Sequence, residues 1–403
     1  MANIDFEQKL DFLLKGLRFK ALFSYKNYNK TTTSRSQGIN RYTLTGYTQN
    51  ADGSYSLNIS PFGSSNPSKP VLSTTSSVAG DRRIYFQSYV DYMNKFGNHN
   101  VSGMLLWNID QYDNNAPGNL VASLPRRKMG FAGRLSYDYD NRYMFEVNAG
   151  YNGSENFAKG HKWGFFPSVA VGWNVSQENF FEPLKDVISN LKLRASYGLV
   201  GNDQLLDSSG GLIRFIYMSD ITLQSENAGF TTGDKQQITL NGPVYTRYQN
   251  NDLTWEVGEK LNVGFDMQLF NSLNVTVDAF REIRRDIFQQ RYSIPNYLGT
   301  ASTAVYGNLA KVKNYGFDLS LDYGKQINKD LAIQFKGTFT FARNEILEYD
   351  EAPGVRPSLS NIGKKLNTIY GYVTDGLYID QADIANSPSS TLGNIAIAPG
   401  DIK

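Results

Sequence analysis

Between residues 127 and 201 the chain repeats one pattern four times, with apolar side chains on odd numbers and polar or small ones on even numbers. The first run sets Met129, Phe131, Leu135, Tyr137 and Tyr139 against Lys128, Arg134, Ser136 and Asp138. The second sets Tyr143, Phe145, Val147 and Tyr151 against Glu146, Asn148 and Asn152. The third sets Trp163, Phe165, Val169, Val171 and Trp173 against Gly164, Ser168 and Gly172, and the fourth sets Leu191, Leu193, Ala195, Tyr197 and Leu199 against Lys192, Arg194, Ser196 and Gly198. Strict alternation is the period of a β-strand whose two faces meet different surroundings. Each run holds roughly a dozen residues, which at ~3.3 Å per residue and ~45° of tilt rises by the height of a membrane's apolar band. Strands of soluble sandwiches are about half that length.

The same period flanks this block. Ile4, Phe6 and Leu10 open a strand that turns into Leu17, Phe19, Ala21, Phe23 and Tyr25. Ile84, Phe86, Val90 and Tyr92 turn at Gly97 and Asn98 into Val101, Leu105, Trp107 and Ile109. Val257, Leu261, Val263, Phe265, Met267 and Leu269 pair with Leu273, Val275, Val277 and Ala279, and Tyr315, Phe317, Leu319, Leu321 and Tyr323 with Leu331, Ile333, Phe335, Phe339 and Phe341. That makes about 12 strands. Short turns (near 15, 97, 141, 183, 271 and 329) alternate with long segments (29–82, 113–126, 155–162, 202–254 and 287–313). An up-and-down array then puts every short turn at one end and every long loop at the other, as in an outer-membrane barrel with long extracellular loops. The fold class expected is all-β: part of an antiparallel up-and-down transmembrane β-barrel, with residues 1–403 as one piece of that single domain.

Turn lengths test the assignment. If Tyr139 and Tyr143 both face lipid, an odd number of residues must separate them, because a slip of one exchanges the faces. Three residues do, and three also separate Leu269 from Leu273 and Ile327 from Leu331. Tyr137, Tyr139, Tyr143 and Phe145 then gather near the turn end as an aromatic girdle. The long segments read as irregular, apart from a helical turn around 183–188 and an extended piece around 212–218.

Composition narrows the function. The net charge of +2 lacks the basic excess of a nucleic-acid binder. With no Cys there is no disulfide framework, thiolate metal site or cysteine nucleophile. No stretch approaches 18 consecutive apolar residues, which excludes helical spans, while a barrel with a wet lumen escapes that test. Residues 1–9 carry no charged segment followed by an apolar one, so no signal peptide is read there. For an outer-membrane protein the simplest resolution is that the chain is a piece of something longer.

Candidate chemistry is sparse. His99 and His161 lie in a turn and a loop with no second ligand nearby in sequence, and no metal or cofactor is expected. Asp278, Asp318 and Asp322 fall on the polar strand face, where charges line a wet wall, as do Lys20, Arg134, Lys192 and Arg194; no catalytic residue is expected. Ser208 to Leu212 is glycine-rich, but no GK[ST] follows and its context is all β, so it is no phosphate loop. The loop aromatics Tyr55, Tyr112, Tyr248 and Tyr297 are the substrate-binding candidates, because sugar rings stack on aromatic planes and loops over a rigid scaffold commonly carry sites.

Several stretches together resemble the SusC-like branch of the TonB-dependent outer-membrane transporters: residues 251–270 (NDLTWEVGEKLNVGFDMQLF), 294–321 (IPNYLGTASTAVYGNLAKVKNYGFDLSL), 180–202 (FFEPLKDVISNLKLRASYGLVGN), 369–378 (IYGYVTDGLY) and 398–403 (APGDIK). The resemblance implies a non-enzymatic importer in the outer membrane of a Gram-negative cell. Its partners would be outer-membrane lipid, a SusD-like surface lipoprotein and the TonB complex. Its cargo would be an oligosaccharide or, in some members, a peptide. Such barrels have about 22 strands around a plugged lumen, so the resemblance also implies a signal peptide, a TonB-contacting segment and a plug before Met1, and further strands after Lys403. Two rival readings stand beside it: a non-transporting barrel that binds a ligand through its loops, and a soluble β-rich glycan-binding or hydrolytic module.

Overall fold

The computed structural model describes residues 1–37, 41–62, 72–118, 120–207, 210–298, 305–388 and 397–403. In chain order the strands are β1 (Ala2–Lys9), β2 (Leu17–Gln37), β3 (Tyr42–Gln49), β4 (Tyr55–Pro61), β5 (Leu72–Phe96), β6 (His99–Asn114), β7 (Arg126–Tyr139), β8 (Tyr143–Ser154) and β9 (Trp163–Asn174). They continue with β10 (Ile188–Asn202), β11 (Leu205–Leu206), β12 (Leu212–Ile213), β13 (Asp220–Thr232), β14 (Ile238–Arg247), β15 (Glu256–Leu269), β16 (Leu273–Gln290), β17 (Tyr306–Gln326) and β18 (Ala332–Glu348). Twelve of them join one sheet in the order β1-β2-β5-β6-β7-β8-β9-β10-β15-β16-β17-β18, and the other six form three separate two-stranded hairpins. Each strand of the large sheet pairs antiparallel with the next, so the up-and-down order expected from the turns is the observed one.

The two faces of this sheet differ as the alternation requires. Leu135, Val147, Phe165, Val171, Tyr197 and Val263 are all exposed, while Ser136, Asn148, Gly164, Gly172 and Asn262 on the other face are partly covered. A row of exposed apolar side chains on strands of this length is explained by hydrocarbon as the solvent on that side.

The tight turns show how three residues keep the register. Asp140 and Asn141 both take left-handed φ values of 54°, and the Arg142 N–H donates to the Tyr139 carbonyl at 2.8 Å. The ladder nonetheless resumes at Tyr139↔Tyr143, which leaves Arg142 as one bulged residue. Phe270 (φ 51°) and Asn271 (φ 53°) repeat the arrangement, closed by Ser272 N–H to Leu269 O at 3.0 Å with Leu269↔Leu273 in register. At the Gly97–Asn98 turn two residues suffice, because β5 carries its outward residues on even numbers and β6 on odd ones: Phe86 pairs with Ile109 and Val90 with Leu105.

Four expectations need correction. Most of the segment 29–82 is strand: β2 and β5 stay in register from Asn29↔Gly80 to Gln37↔Leu72, and β3 pairs with β4 between them in sequence. Beyond the membrane both faces meet water, so the alternation stops while Thr and Ser still pair across strands. The segment 287–313 shrinks as well, since β16 reaches Gln290 and β17 starts at Tyr306, where Phe288 and Tyr306 pack against a buried apolar cluster. The helical turn lies earlier than 183–188, as 3₁₀ turns at Val175–Gln177 and Asn179–Leu184. The extended piece at 212–218 is only Leu212–Ile213, because the chain bends at Phe215 (φ 50°).

The buried core lies outside the alternating strand positions. Phe157, Leu205, Ile213, Ile216, Leu253 and Trp255 form one apolar cluster, with Phe166, Phe288 and Tyr306 packed against it. All six of its buried members sit in the connections at the long-loop end.

Candidate functional site

The polar face of the sheet is a wall of ion pairs, most of them between strands. Arg18 meets Asp91 at 2.6 Å, Arg83 meets Asp110 at 2.7 Å, and Arg284 lies between Glu256 (3.3 Å) and Glu282 (3.2 Å). Lys20 reaches Glu7 at 3.4 Å, and Arg134 hydrogen-bonds Asn148 at 2.9 Å. Arg194 bridges Asp266 (3.2 Å) and Asp278 (2.6 Å), so Asp278 is held by a cation. Asp318 is its ladder neighbour, and Asp322 lies opposite Asn274. These carboxylates are therefore spaced by strand pairing along a wetted wall. Lys192 and Arg194 also line a recess of about 750 Å³ near the turn end, with Ser136, Asp138 and Glu146.

The two histidines lie apart from each other. His99 Nδ1 hydrogen-bonds the Tyr137 hydroxyl at 2.8 Å, within the girdle where Tyr139 and Tyr143 stack, and the His161 N–H donates to the Ala158 carbonyl at 3.0 Å in the loop after β8.

At the other end three connections become one body. Arg214, buried beside the apolar cluster, donates to the carbonyls of Val121 (2.9 Å), Leu124 (2.7 Å) and Pro125 (2.9 Å) and to Glu155 Oε1 (2.7 Å). One guanidinium thus fixes the connections 115–125, 155–162 and 203–255 to one another. Trp255 Nε1 donates to the Lys162 carbonyl at 3.2 Å, Lys128 meets Asp203 at 2.7 Å, and Asn250 Nδ2 donates to the Tyr306 carbonyl at 2.9 Å, which ties this platform to the wall. Phe166 lies under it: a Cβ on Gly164 or Gly201 would fall 2.3 or 2.0 Å from its ring, so a side chain at either position would push the ring out of its place beside Trp255.

The four candidate tyrosines do not converge. Tyr112 lines a cavity of about 640 Å³ at the edge of the platform, with the Arg126 guanidinium 4.1 Å from its ring centroid. Tyr55 packs edge-on against Tyr47 at 5.5 Å in the β3–β4 hairpin, Tyr248 stacks on Tyr245 at 5.2 Å, and Tyr297 stands almost fully exposed in the connection between β16 and β17. Sequence reasoning missed the charged residues around Tyr112. Arg126 and Arg247 look like any other strand-end arginines until the loops are folded. Of the glycine-rich stretch, Ser208 and Ser209 lie outside the described residues; Gly210 and Gly211 fold back on Asp207, whose carboxylate accepts the Gly211 N–H at 2.7 Å.

A sheet with one lipid-facing side, one ion-paired polar side, short turns at one end and a packed loop platform at the other defines an outer-membrane β-barrel protein. Residues 2–393 match the family described as TonB dependent receptor-like, beta-barrel, and the chain belongs to that family. Its members reside in the outer membrane of Gram-negative cells. The chain is 28% identical over 331 residues to TonB-dependent receptor P3 of Formosa agariphila, covering 72% of this chain and 31% of that protein. It is 28% identical over 263 residues to TonB-dependent receptor SusC of Bacteroides thetaiotaomicron, covering 63% and 25%. It thus spans about a third or less of the length of these relatives. Among solved structures, the RagAB peptide importer in its closed-closed state shares the fold at a TM-score of 0.63 and 19% identity, over 90% of this chain and 38% of that one. Its open-open state gives 0.64 and 20%, over 87% and 37%.

Proposed function

We propose that residues 1–403 form part of the single barrel domain of a TonB-dependent importer that carries an oligosaccharide across the outer membrane, without catalysing a reaction on it. Under this reading the barrel is energised through the TonB complex and works with a SusD-like surface lipoprotein. The observation that carries it is the division of the molecule: the ion-paired wall offers a wetted path through the lipid, and the loops pack into one platform at its outer end. Tyr55, Tyr112, Tyr248 and Tyr297 are then stacking positions for sugar rings along the approach. A peptide cargo is the second reading, favoured by the fold shared with the RagAB peptide importer.

The test is uptake by cells that carry or lack the full-length gene, fed labelled oligosaccharides in one arm and labelled peptides in the other, with and without an intact TonB system. Gene- and TonB-dependent accumulation of an oligosaccharide is expected, together with co-purification of a lipoprotein. TonB-dependent accumulation of peptides alone would select the second reading. Equal accumulation with and without the gene would defeat both.

A further inference from the structure

Resting on the oligosaccharide reading, we propose that the cavity between the end of β6, the 115–125 connection and the base of the β13–β14 hairpin is a binding subsite for an uncharged sugar unit, held by Tyr112, Arg126, Asp220 and Arg247. Each of these side chains lines the cavity. Tyr112 and Arg126 are ladder partners, and the guanidinium packed on the ring fixes the aromatic plane in the wall. Arg126 has no ion pair among the described residues.

Asp220 and Arg247 are also ladder partners, yet they form no ion pair. Arg247 donates one long bond, 3.4 Å, to the Met218 carbonyl, and its Nε is buried without an acceptor. A guanidinium has five donors, so most of this one's capacity is unspent. The Asp220 carboxylate accepts no hydrogen bond among the described residues. A donor and an acceptor standing side by side and unused is what the adjacent hydroxyls of a sugar need, since each hydroxyl both donates and accepts.

Charge decides the class of sugar. Arg214 also lines the cavity but is already matched by Glu155, and the remaining Arg126 and Arg247 are balanced by Asp207 and Asp220. Two guanidinium groups and two carboxylates leave this lining without net charge, so an acidic unit gains no net attraction, while the hydroxyls of a neutral one can use the donors and the acceptors alike. The floor is apolar, from Val121 and Ile213 among others, which suits the C–H face of a pyranose. Because Arg214 clamps the surrounding connections, the subsite is formed before the ligand arrives.

The experiment uses the full-length protein in detergent on an array of neutral and acidic oligosaccharides and short peptides, followed by titration of the neutral oligosaccharide retained. Asp220→Asn and Arg126→Met are each expected to weaken that binding about tenfold, the loss of one charge-assisted hydrogen bond. Heat-modifiable migration on gels should stay unchanged, and Lys185→Ala at the opposite end of the strands should bind as the wild type does. Unchanged affinity in both variants, with the wild type binding, would overturn the subsite and leave the oligosaccharide reading intact. Retention of acidic oligosaccharides or of peptides alone would overturn the neutral class, and peptides alone would overturn the oligosaccharide reading with it.

Discussion

The spanning strands and the loop platform solve opposite problems with the same residue types. Along the strands Phe165, Val171, Leu193 and Val263 stand exposed, and no residue of that outward face is fully buried. In the platform Phe157, Ile216 and Leu253 are sealed off almost completely. The strands have hydrocarbon as their outer solvent, so apolar side chains gain nothing by turning inward and the inner face is left to ion pairs. The platform stands in water and must build a core of its own from a few residues supplied by two connections, with the third held to them by Arg214. The lesson is that burial in the chain alone does not locate the residues the fold depends on; the solvent on each side does.

The largest expected effect falls on the platform. Phe157→Ala removes a fully buried ring at the centre of the cluster and should cost the platform about 3–5 kcal/mol. Hydrogen exchange should show residues 115–125, 155–162 and 203–255 losing protection together while the strands keep theirs. Protection lost in only one connection would mean that the platform is not a single body.

The membrane side is probed by a matched pair of substitutions. Val169 lies midway along β9 on the outward face, between Val147 and Tyr197. Val169→Arg should cost about 2–4 kcal/mol in folding into lipid vesicles, as for charges near the bilayer midplane. Ser196, on the inner face of β10, is the control, and Ser196→Lys should stay within about 0.5 kcal/mol. Equal costs at the two sites would mean that the faces do not meet different solvents.

The same contrast explains what the sequence shows of the fold and what it hides. The strands are legible because each samples two solvents, and the period of two writes that difference into the order of residues; even the bulged residue at Arg142 follows from the parity of Tyr139 and Tyr143. The extensions of β2 and β5 past Asn29 and Gly80 are not legible, because water on both sides leaves no alternation. The platform is illegible for a different reason. Phe157, Ile216 and Leu253 are isolated apolar residues among glycines and polar groups, and they meet only through contacts across as many as 96 positions of sequence. Arg214 gives no local sign that its partners begin at Val121. Of the candidate site, Tyr112 could be singled out as a loop aromatic, but Asp220 and Arg247 gain meaning only when strand pairing puts them side by side in the cavity that Tyr112 also lines.

The smallest effect concerns the seam where the two solvents meet at the turn end. Tyr143 and Trp173 face outward on β8 and β9, and their polar edges reach the connection after β9, where the Tyr143 hydroxyl (2.5 Å) and Trp173 Nε1–H (3.1 Å) both donate to Glu178 Oε1. Arg142 adds a 3.4 Å ion pair to Oε2. The hydrogen bonds from Tyr143 and then Trp173, with the Arg142 charge behind them, hold the Glu178 carboxyl below its ordinary value of 4.5. A depressed carboxyl stabilises the fold at every pH above that ordinary value, and its contribution is lost as the pH falls through the lower, folded one. Acidification below about pH 4.5 should therefore loosen the girdle locally, and the Trp173 emission should shift over that range. Glu178→Gln keeps the shape but removes the titrating group, so the difference between the two emission curves isolates this site from the other tryptophans. The effect should be modest, because solvent screens an exposed cluster, and it should leave the platform's exchange protection untouched. An identical acid step in Glu178→Gln would show that the girdle's polar edges are anchored elsewhere.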